Sequence, residues 1–182
     1  GQTPGAAQDD ALAQAATAAC VFAWPLVLMD VTRQQLTAVP NPAPRQAPIN
    51  QFAHAPIVPD ATFETVVSPN VDSLYSSAWL DLAEEPVVLS LPDTGDRYYV
   101  MQILDAWTNV FAAPGPRTTG SAAGAYAIVG PDWAGTLPDG VQALPSPTAM
   151  AWIIGRTETR GEADYAVVHA LQAQVTLTPL SA

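Results

Sequence analysis

The sequence has no lysine, one cysteine and two histidines. The single Cys20 excludes a disulfide within the chain, and no set of cysteines and histidines offers the four ligands of a structural zinc site. Without lysine there is no Ser-x-x-Lys motif. There is also no Gly-x-Ser-x-Gly elbow and no phosphate-cradling glycine loop. We therefore expect neither a metal ion nor an organic cofactor.

Positive charge is also scarce, since six arginines face 17 acidic residues and the formal net charge is -11. Such a balance repels phosphate backbones and anionic membrane surfaces. The acids are spread along the chain rather than gathered in a tail. Nucleic acid is excluded as an expected partner, which leaves a polar small molecule, a glycan or another protein.

Ala11 to Met29 is the one long apolar run, and its length approaches that of a membrane span. Alanine contributes little to insertion, Pro25 interrupts the run, and Asp9 and Asp10 stand where an anchor carries positive charge. We therefore predict no membrane span, and we predict that Cys20 is buried. A start at Gly1 fits removal of a signal peptide or a boundary set for expression, so we expect a secreted or periplasmic protein.

Helical spacing and 18 prolines divide the chain into three parts. Residues 1–39 are predicted to form an N-terminal helical segment, either two short helices or one helix kinked between Trp24 and Pro25. Residues 40–60 are predicted to be a proline-rich connector lying on the surface. Residues 61–182 are predicted to be a β-sandwich domain with a terminal helix and tail.

Period-two alternation and turn residues predict the strands of this domain. The class is mainly β, with antiparallel strands at sandwich-like spacing. Val87–Leu91 and Arg97–Leu104 are predicted to pair as a hairpin around an Asp-Thr-Gly turn. The other expected elements are strands at Phe63–Val67, Leu74–Leu82, Trp107–Ala112, Ala125–Val129, Val141–Leu144 and Ala149–Gly155, a helix at Ala163–Gln174 and a tail at Leu177–Ala182.

Four blocks carry a resemblance to a known family: Pro25 to Asp30, Ser68 to Ser76, Asp105 to Phe111 and Trp152 to Thr157. In this order they resemble the bacterial family catalogued as domain of unknown function 1254. The resemblance implies an immunoglobulin-like β-sandwich after an N-terminal helical segment. Members usually continue into a second, jelly-roll-like domain, so the chain resembles the N-terminal half of longer two-domain proteins. The resemblance assigns no residue a role.

Asp105, Trp107 and Asn109 alternate with Phe111, so in a regular strand they share one face, beside the loop that carries Arg117. A carboxylate, an indole and an amide together suit a sugar or another polar ligand. We favour the structural interpretation, in which the aromatic residues belong to the core, while Asp105 and Asn109 tie down neighbouring loops by hydrogen bonds.

Asn70 and Asp72 follow Pro69 at the predicted entrance of a strand, where short polar side chains form Asx turns, and Tyr75 lies within reach of the same loop. We favour this structural use. The alternative joins Asn70, Asp72 and Asp105 as oxygen ligands for calcium, but no EF-hand spacing is present.

Arg156 ends a strongly apolar strand, so we predict that it is mostly buried and pairs with a carboxylate such as Asp105 or Asp72. Alternatively, Arg156 and Arg117 face a cleft and bind a substrate carboxylate in the guanidinium fork geometry.

The favoured hypothesis is a non-catalytic binding or assembly module that packs on a second domain or subunit, possible self-association included. The alternative is a hydrolase or lyase acting on a polymer or a small polar substrate, with a site around Asp105, Asn109 and Arg156. The sequence does not decide whether the protein is an enzyme.

Overall fold

The computed structural model describes residues 4–60, 62–63 and 70–182. In these ranges the protein is mainly β, with two sheets, an N-terminal helix and a C-terminal helix. The predicted strand at Phe63–Val67 falls mostly on residues outside the described ranges. The elements are α1 Pro4–Thr37, β1 Ala53–His54, β2 Ser73–Asp81, β3 Val87–Leu91, β4 Tyr99–Asp105, β5 Val110–Ala112, β6 Gly124–Val129, β7 Val141–Pro145, β8 Met150–Glu158, a 3-10 turn Glu162–Asp164, α2 Tyr165–Gln172 and β9 Thr176–Pro179.

The two sheets pack face to face around one hydrophobic core. The first sheet has the strand order β1-β2-β8-β4-β5, and the second has the order β7-β6-β3-β9. Side chains alternate between the two faces of a strand, so the apolar residues at every second position all point inward. Leu89 from β3 and Met101, Ile103 and Ile153 from the opposite sheet are completely buried there.

The predicted hairpin between Val87–Leu91 and Arg97–Leu104 is wrong. β3 pairs with β6 and β9, whereas β4 pairs with β5 and β8, so the chain crosses from one sheet to the other. The turn itself was predicted correctly, because Gly95 has a positive φ of 60° and donates its N–H to Asp93 Oδ1 at 2.8 Å. The inward faces of the two strands oppose each other across the core instead of lying side by side.

The expectation of purely antiparallel strands needs one correction. β6 and β7 run parallel, with Ala125 opposite Val141 and Val129 opposite Pro145. The long loop between them, from Gly130 to Gly140, is rich in proline and glycine and gives the chain room to return to the same edge.

α1 is one continuous helix of 34 residues, so of the two predicted alternatives the pair of short helices is wrong. Pro25 lies inside it, where a proline removes one backbone hydrogen bond but the alanine-rich turns before it, and the leucine, methionine, arginine and glutamine residues after it, favour the helix. Cys20 is exposed rather than buried. In the described part of the chain, Gln8–Thr37 is long and apolar enough to cross a membrane, and only 6% of its most apolar window is buried.

The C-terminal residues differ from the predicted free tail. Thr176–Pro179 form β9, which pairs with β3 at the edge of the second sheet, and Val175 is buried beneath it. α2 is shorter than predicted and lies against the first sheet, where Gln172 Nε2 donates to Tyr75 O at 3.1 Å. His169 Nε2 also donates to Pro56 O at 2.7 Å, which ties α2 to the connector.

Candidate functional site

A cavity of about 330 Å³ lies on the outer face of the first sheet, away from the core. Its floor is formed by outward-facing side chains of β2 and β8, where Tyr75 lies opposite Arg156 and Ser77 lies opposite Ile154. The proline-rich connector crosses above this floor. The end of α1 closes one side through Leu36, so three separate parts of the chain build the cavity.

Two arginines line the cavity, and each lies over an aromatic ring. Arg156 is half-buried, and its Cζ lies 5.1 Å from the centre of the Tyr75 ring. Arg45 is exposed, and its Cζ lies 3.9 Å from the centre of the Phe63 ring. Both separations lie within the range of cation–π attraction, which holds the guanidinium planes in place.

The rest of the lining is almost entirely apolar, and two of its polar groups bond to each other. Trp152 donates its indole N–H to Ser77 Oγ at 2.9 Å. The same indole stacks on Trp79, with ring centres 4.6 Å apart and planes at 8°. The aromatic floor is therefore rigid, and the guanidinium groups are the charged groups that the described lining offers to a ligand.

Asp105 serves the loop between β4 and β5. Its Oδ1 accepts the backbone N–H of Trp107 at 2.8 Å and of Asn109 at 2.9 Å, and its Oδ2 accepts Asn109 Nδ2 at 3.1 Å. Asp105 is buried while Asn109 is exposed. The predicted regular strand through these residues does not exist, because β4 ends at Asp105 and Thr108 turns the chain with a φ of 71°. The favoured interpretation, in which Asp105 and Asn109 hold a loop by hydrogen bonds, describes the geometry.

Asn70 and Asp72 form the predicted Asx turn. Asn70 Oδ1 accepts the backbone N–H of Asp72 at 3.3 Å and of Ser73 at 3.0 Å. Ser73 lies opposite Glu158 on β8, whereas Asp105 lies opposite Ala151, seven residues further along. That separation is roughly 23 Å at 3.3 Å per residue, so the calcium arrangement is not formed.

Trp107 and Arg117 lie away from the cavity. The Trp107 ring contacts Phe22 of α1 with ring centres 5.0 Å apart. Arg117 is exposed, and its Cζ lies 5.3 Å from the centre of the Tyr98 ring. Arg117 therefore does not join Arg156 at one cleft. Of the eight predicted site residues, the structure brings Tyr75 and Arg156 together in the cavity.

Arg156 does not form the predicted ion pair with Asp105 or Asp72. Among the described residues, its side-chain hydrogen bond goes from Nη1 to Gln102 Oε1 at 3.1 Å. Arg156 lies opposite Val100 on β4, about five residues or 16 Å from the position of Asp105. The alternative hydrolase or lyase site around Asp105, Asn109 and Arg156 is therefore not assembled.

We expect Arg156→Gln to lower the free energy of unfolding by only about 1 kcal/mol. The change removes one neutral-acceptor hydrogen bond and strands no carboxylate among the described residues, unlike the loss of an ion pair. Urea denaturation followed by circular dichroism measures the effect. A loss of about 3 kcal/mol, the value typical of a broken buried pair, would contradict this geometry.

Sequence reasoning missed Arg45, Phe63 and Trp152 as members of one site. Arg45 is the one cation in the proline-rich connector, and its neighbours there are mostly apolar. An isolated arginine in such a segment was the available signal. The register that places the connector over β2 and β8 could not be derived from the sequence.

A family model described as "Protein of unknown function (DUF1254)" matches residues 49–179. In structure, the chain is similar to the VPA0106 protein from Vibrio parahaemolyticus, with a TM-score of 0.72 and 23% sequence identity. The match covers 88% of this chain and 36% of that one, so the chain spans about a third of the length of this structural relative. No curated protein matches.

Proposed function

The chain belongs to the DUF1254 family, and from this premise we propose that it is a non-catalytic assembly module that packs on a partner domain or subunit through α1. The exposed apolar face of α1 is the observation that supports this proposal. Export of the protein stays a prediction.

α1 has two apolar faces. Met29 and Leu36 lie on one face, and Met29 is only 3% exposed because it packs on the two-sheet domain. The other face, here called the α1 stripe, consists of Val21, Trp24, Leu28 and Val31, which are 72%, 63%, 52% and 45% exposed. The first face attaches the helix to its own domain, and the second has no contact partner among the described residues.

The spacing of the α1 stripe indicates its occupant. Its members recur at intervals of three, four and three residues, which is the seam spacing by which one helix packs against another. Burying each large apolar side chain contributes roughly 1.5–3 kcal/mol. A contiguous apolar stripe of this kind marks a protein interface, so we propose that a helix or groove of a partner covers it.

A lipid bilayer fits α1 less well than a protein partner does. Phe22 contacts Trp107, and Met29 and Leu36 lie against the domain, so the helix from Phe22 onward runs along folded protein. The part of α1 before this contact carries Asp9 and Asp10, both exposed, and acidic side chains are costly at membrane depth.

The length of the structural relative supports a partner of domain size. The equivalent fold takes up only 36% of the VPA0106 chain. We propose that a domain of comparable position, on the same chain or on a separate one, covers the α1 stripe. We also propose that the two sheets are an immunoglobulin-like sandwich, since one core fills the space between them.

In the isolated chain we expect the α1 stripe to drive self-association at micromolar concentration. The double variant Trp24→Glu/Leu28→Glu should be monomeric, because two carboxylates in the seam would lose their hydration on burial. Light scattering over a concentration series measures this. Leu12→Glu is the matched control, since Leu12 is 69% exposed on another side of the same helix and should leave association unchanged.

Two results would count against the assembly proposal. In the first, the chain stays monomeric at high micromolar concentration. Its exposed Cys20, which directly precedes the α1 stripe, then reacts freely with a thiol reagent, which shows that this part of α1 is uncovered. The other is equal association of the stripe variant and the parent protein. Co-sedimentation of the monomer with phosphatidylcholine vesicles would indicate that a lipid surface, rather than a protein partner, covers the α1 stripe.

A further inference from the structure

The geometry points to a second role for the protein: the cavity between the connector and the first sheet binds a small amphipathic carboxylate. Such a ligand carries one carboxylate on an apolar body, and a volume of about 330 Å³ takes about ten non-hydrogen atoms at about 30 Å³ each. The inference is independent of the α1 stripe, because the cavity lies on the face of β2 and β8.

Arg156 supplies the anchor for the carboxylate. It is half-buried on the cavity floor, and the described residues place no carboxylate within ion-pair distance of it. One of its N–H groups is used by Gln102, and Tyr75 lies under its guanidinium plane. An arginine in a largely apolar site is costly without a counter-ion, and its planar fork matches a carboxylate. A bound carboxylate would supply the missing counter-ion and would fit the guanidinium fork.

Arg45 adds a second positive charge at the open side of the cavity. It is exposed, and the Phe63 ring lies 3.9 Å from its Cζ. The neighbouring acid is Asp60, whose hydrogen bonds from Thr62, together with the more distant charge of Arg45, lower its pKa. Asp60 is exposed and is not part of the cavity lining, so the described part of the lining is positive.

The apolar lining sets the class of the ligand body. Ile57, Ile154 and Trp152 contribute carbon surface, and the Ser77 hydroxyl already accepts the Trp152 N–H. A sugar or a phosphate ester would lose more hydration here than the site returns, because few unused hydrogen-bonding groups are present. An aliphatic or aromatic body loses little water of hydration and buries apolar surface. The chemistry therefore selects a monocarboxylate with a hydrocarbon body.

Octanoate is the probe that tests this site, with 1-octanol as its neutral counterpart. Titration of the full chain by isothermal calorimetry and by tryptophan fluorescence should give saturable binding of one octanoate per chain. The fluorescence change should vanish in Trp152→Phe, which lies in the cavity, while the calorimetric binding remains. Binding of 1-octanol should be at least tenfold weaker, since it cannot use the guanidinium groups.

Three arginine variants locate the anion. Arg156→Gln should weaken octanoate binding by about tenfold to hundredfold, as expected for loss of a charge-assisted hydrogen bond. Arg45→Gln should weaken it by about threefold, because this arginine is exposed and screened by solvent. Arg117→Gln is the matched control, since Arg117 also lies over an aromatic ring, that of Tyr98, outside the cavity. Its affinity for octanoate should equal that of the parent protein.

Several outcomes would overturn the inference. Absence of saturable octanoate binding up to millimolar concentration would show that the cavity holds no such ligand. Equal affinity for octanoate and 1-octanol, or equal weakening by Arg156→Gln and Arg117→Gln, would show that the guanidinium groups do not select an anion. Circular dichroism of each variant shows whether a lost affinity reflects a lost fold.

Discussion

Replacing Arg97 with leucine is expected to lower the melting temperature by roughly 5 °C or more. Arg97 is only 8% exposed, and its guanidinium donates to both oxygens of Asp164, at 2.6 and 2.8 Å, and to Glu158 O at 2.8 Å. These bonds join the start of β4, the end of β8 and the turn that begins α2. Leucine would leave the Asp164 carboxylate half-buried without its partner, which is the costly way to break an ion pair.

The same pair makes stability depend on pH. The hydrogen bonds from the Arg97 side chain lower the pKa of Asp164 below its ordinary value, and the Arg160 backbone N–H contributes in the same direction. A carboxylate with a lowered pKa in the folded state stabilises the protein above its unfolded pKa. This contribution is lost as the pH falls, between about pH 5 and pH 2. The Arg97→Leu variant should therefore lose less stability on acidification than the parent protein does.

Arg160→Gln is the matched control for both measurements. Arg160 lies near the same turn, but its side chain is 57% exposed and its carboxylate contacts are 3.7 Å long. Exposed pairs of this kind contribute little, so its melting curve should match that of the parent protein. Differential scanning calorimetry of the parent protein and of both variants at pH 7 and at pH 3 measures these differences in melting temperature. Equal melting temperatures for Arg97→Leu and Arg160→Gln would refute a structural role for the Arg97 pair.

The sequence contained enough information to place most of the strands, because alternation is a local signal. Val87–Leu91 was predicted with the observed bounds, and Ala125–Val129 and Val141–Leu144 were each one residue short. Partner choice is not local. The Asp93 and Gly95 turn specifies a change of direction, but the same turn chemistry serves a hairpin and a crossing between sheets. The sequence offered no way to distinguish the two.

The same distinction between local and non-local interactions applies to the candidate site. The roles of Asn70 and Asp105 follow from hydrogen bonds to residues two to four positions away, and sequence reasoning favoured both roles. The cavity instead joins Arg45, in the connector, to Arg156, more than a hundred residues later. Only the register of β2 against β8 and the path of the connector bring them together, and neither leaves a periodic signal in the sequence.

Removing residues 175–182 is expected to destabilise the domain by about 4 kcal/mol or to abolish cooperative unfolding. The deletion takes away Val175, which is 7% exposed, and Leu177, which packs against the core. Each buried aliphatic side chain contributes roughly 1.5–3 kcal/mol. It also removes β9, so that β3 loses its partner from Val87 to Ser90 and becomes an exposed sheet edge. A tail that served only as a connection between domains would have no such effect.

Removing residues 181–182 alone is the control for this truncation. Ser181 donates to Glu85 from its backbone N–H and its hydroxyl, but these bonds are exposed and β9 remains paired with β3. We expect the free energy of unfolding to change by less than about 1 kcal/mol, since exposed hydrogen bonds contribute little net stability. Urea denaturation of both truncations, followed by circular dichroism, measures the difference. Because β9 completes the second sheet, only the longer truncation should lose the cooperative transition or shift it to much lower urea, and coincident curves would show that β9 is dispensable.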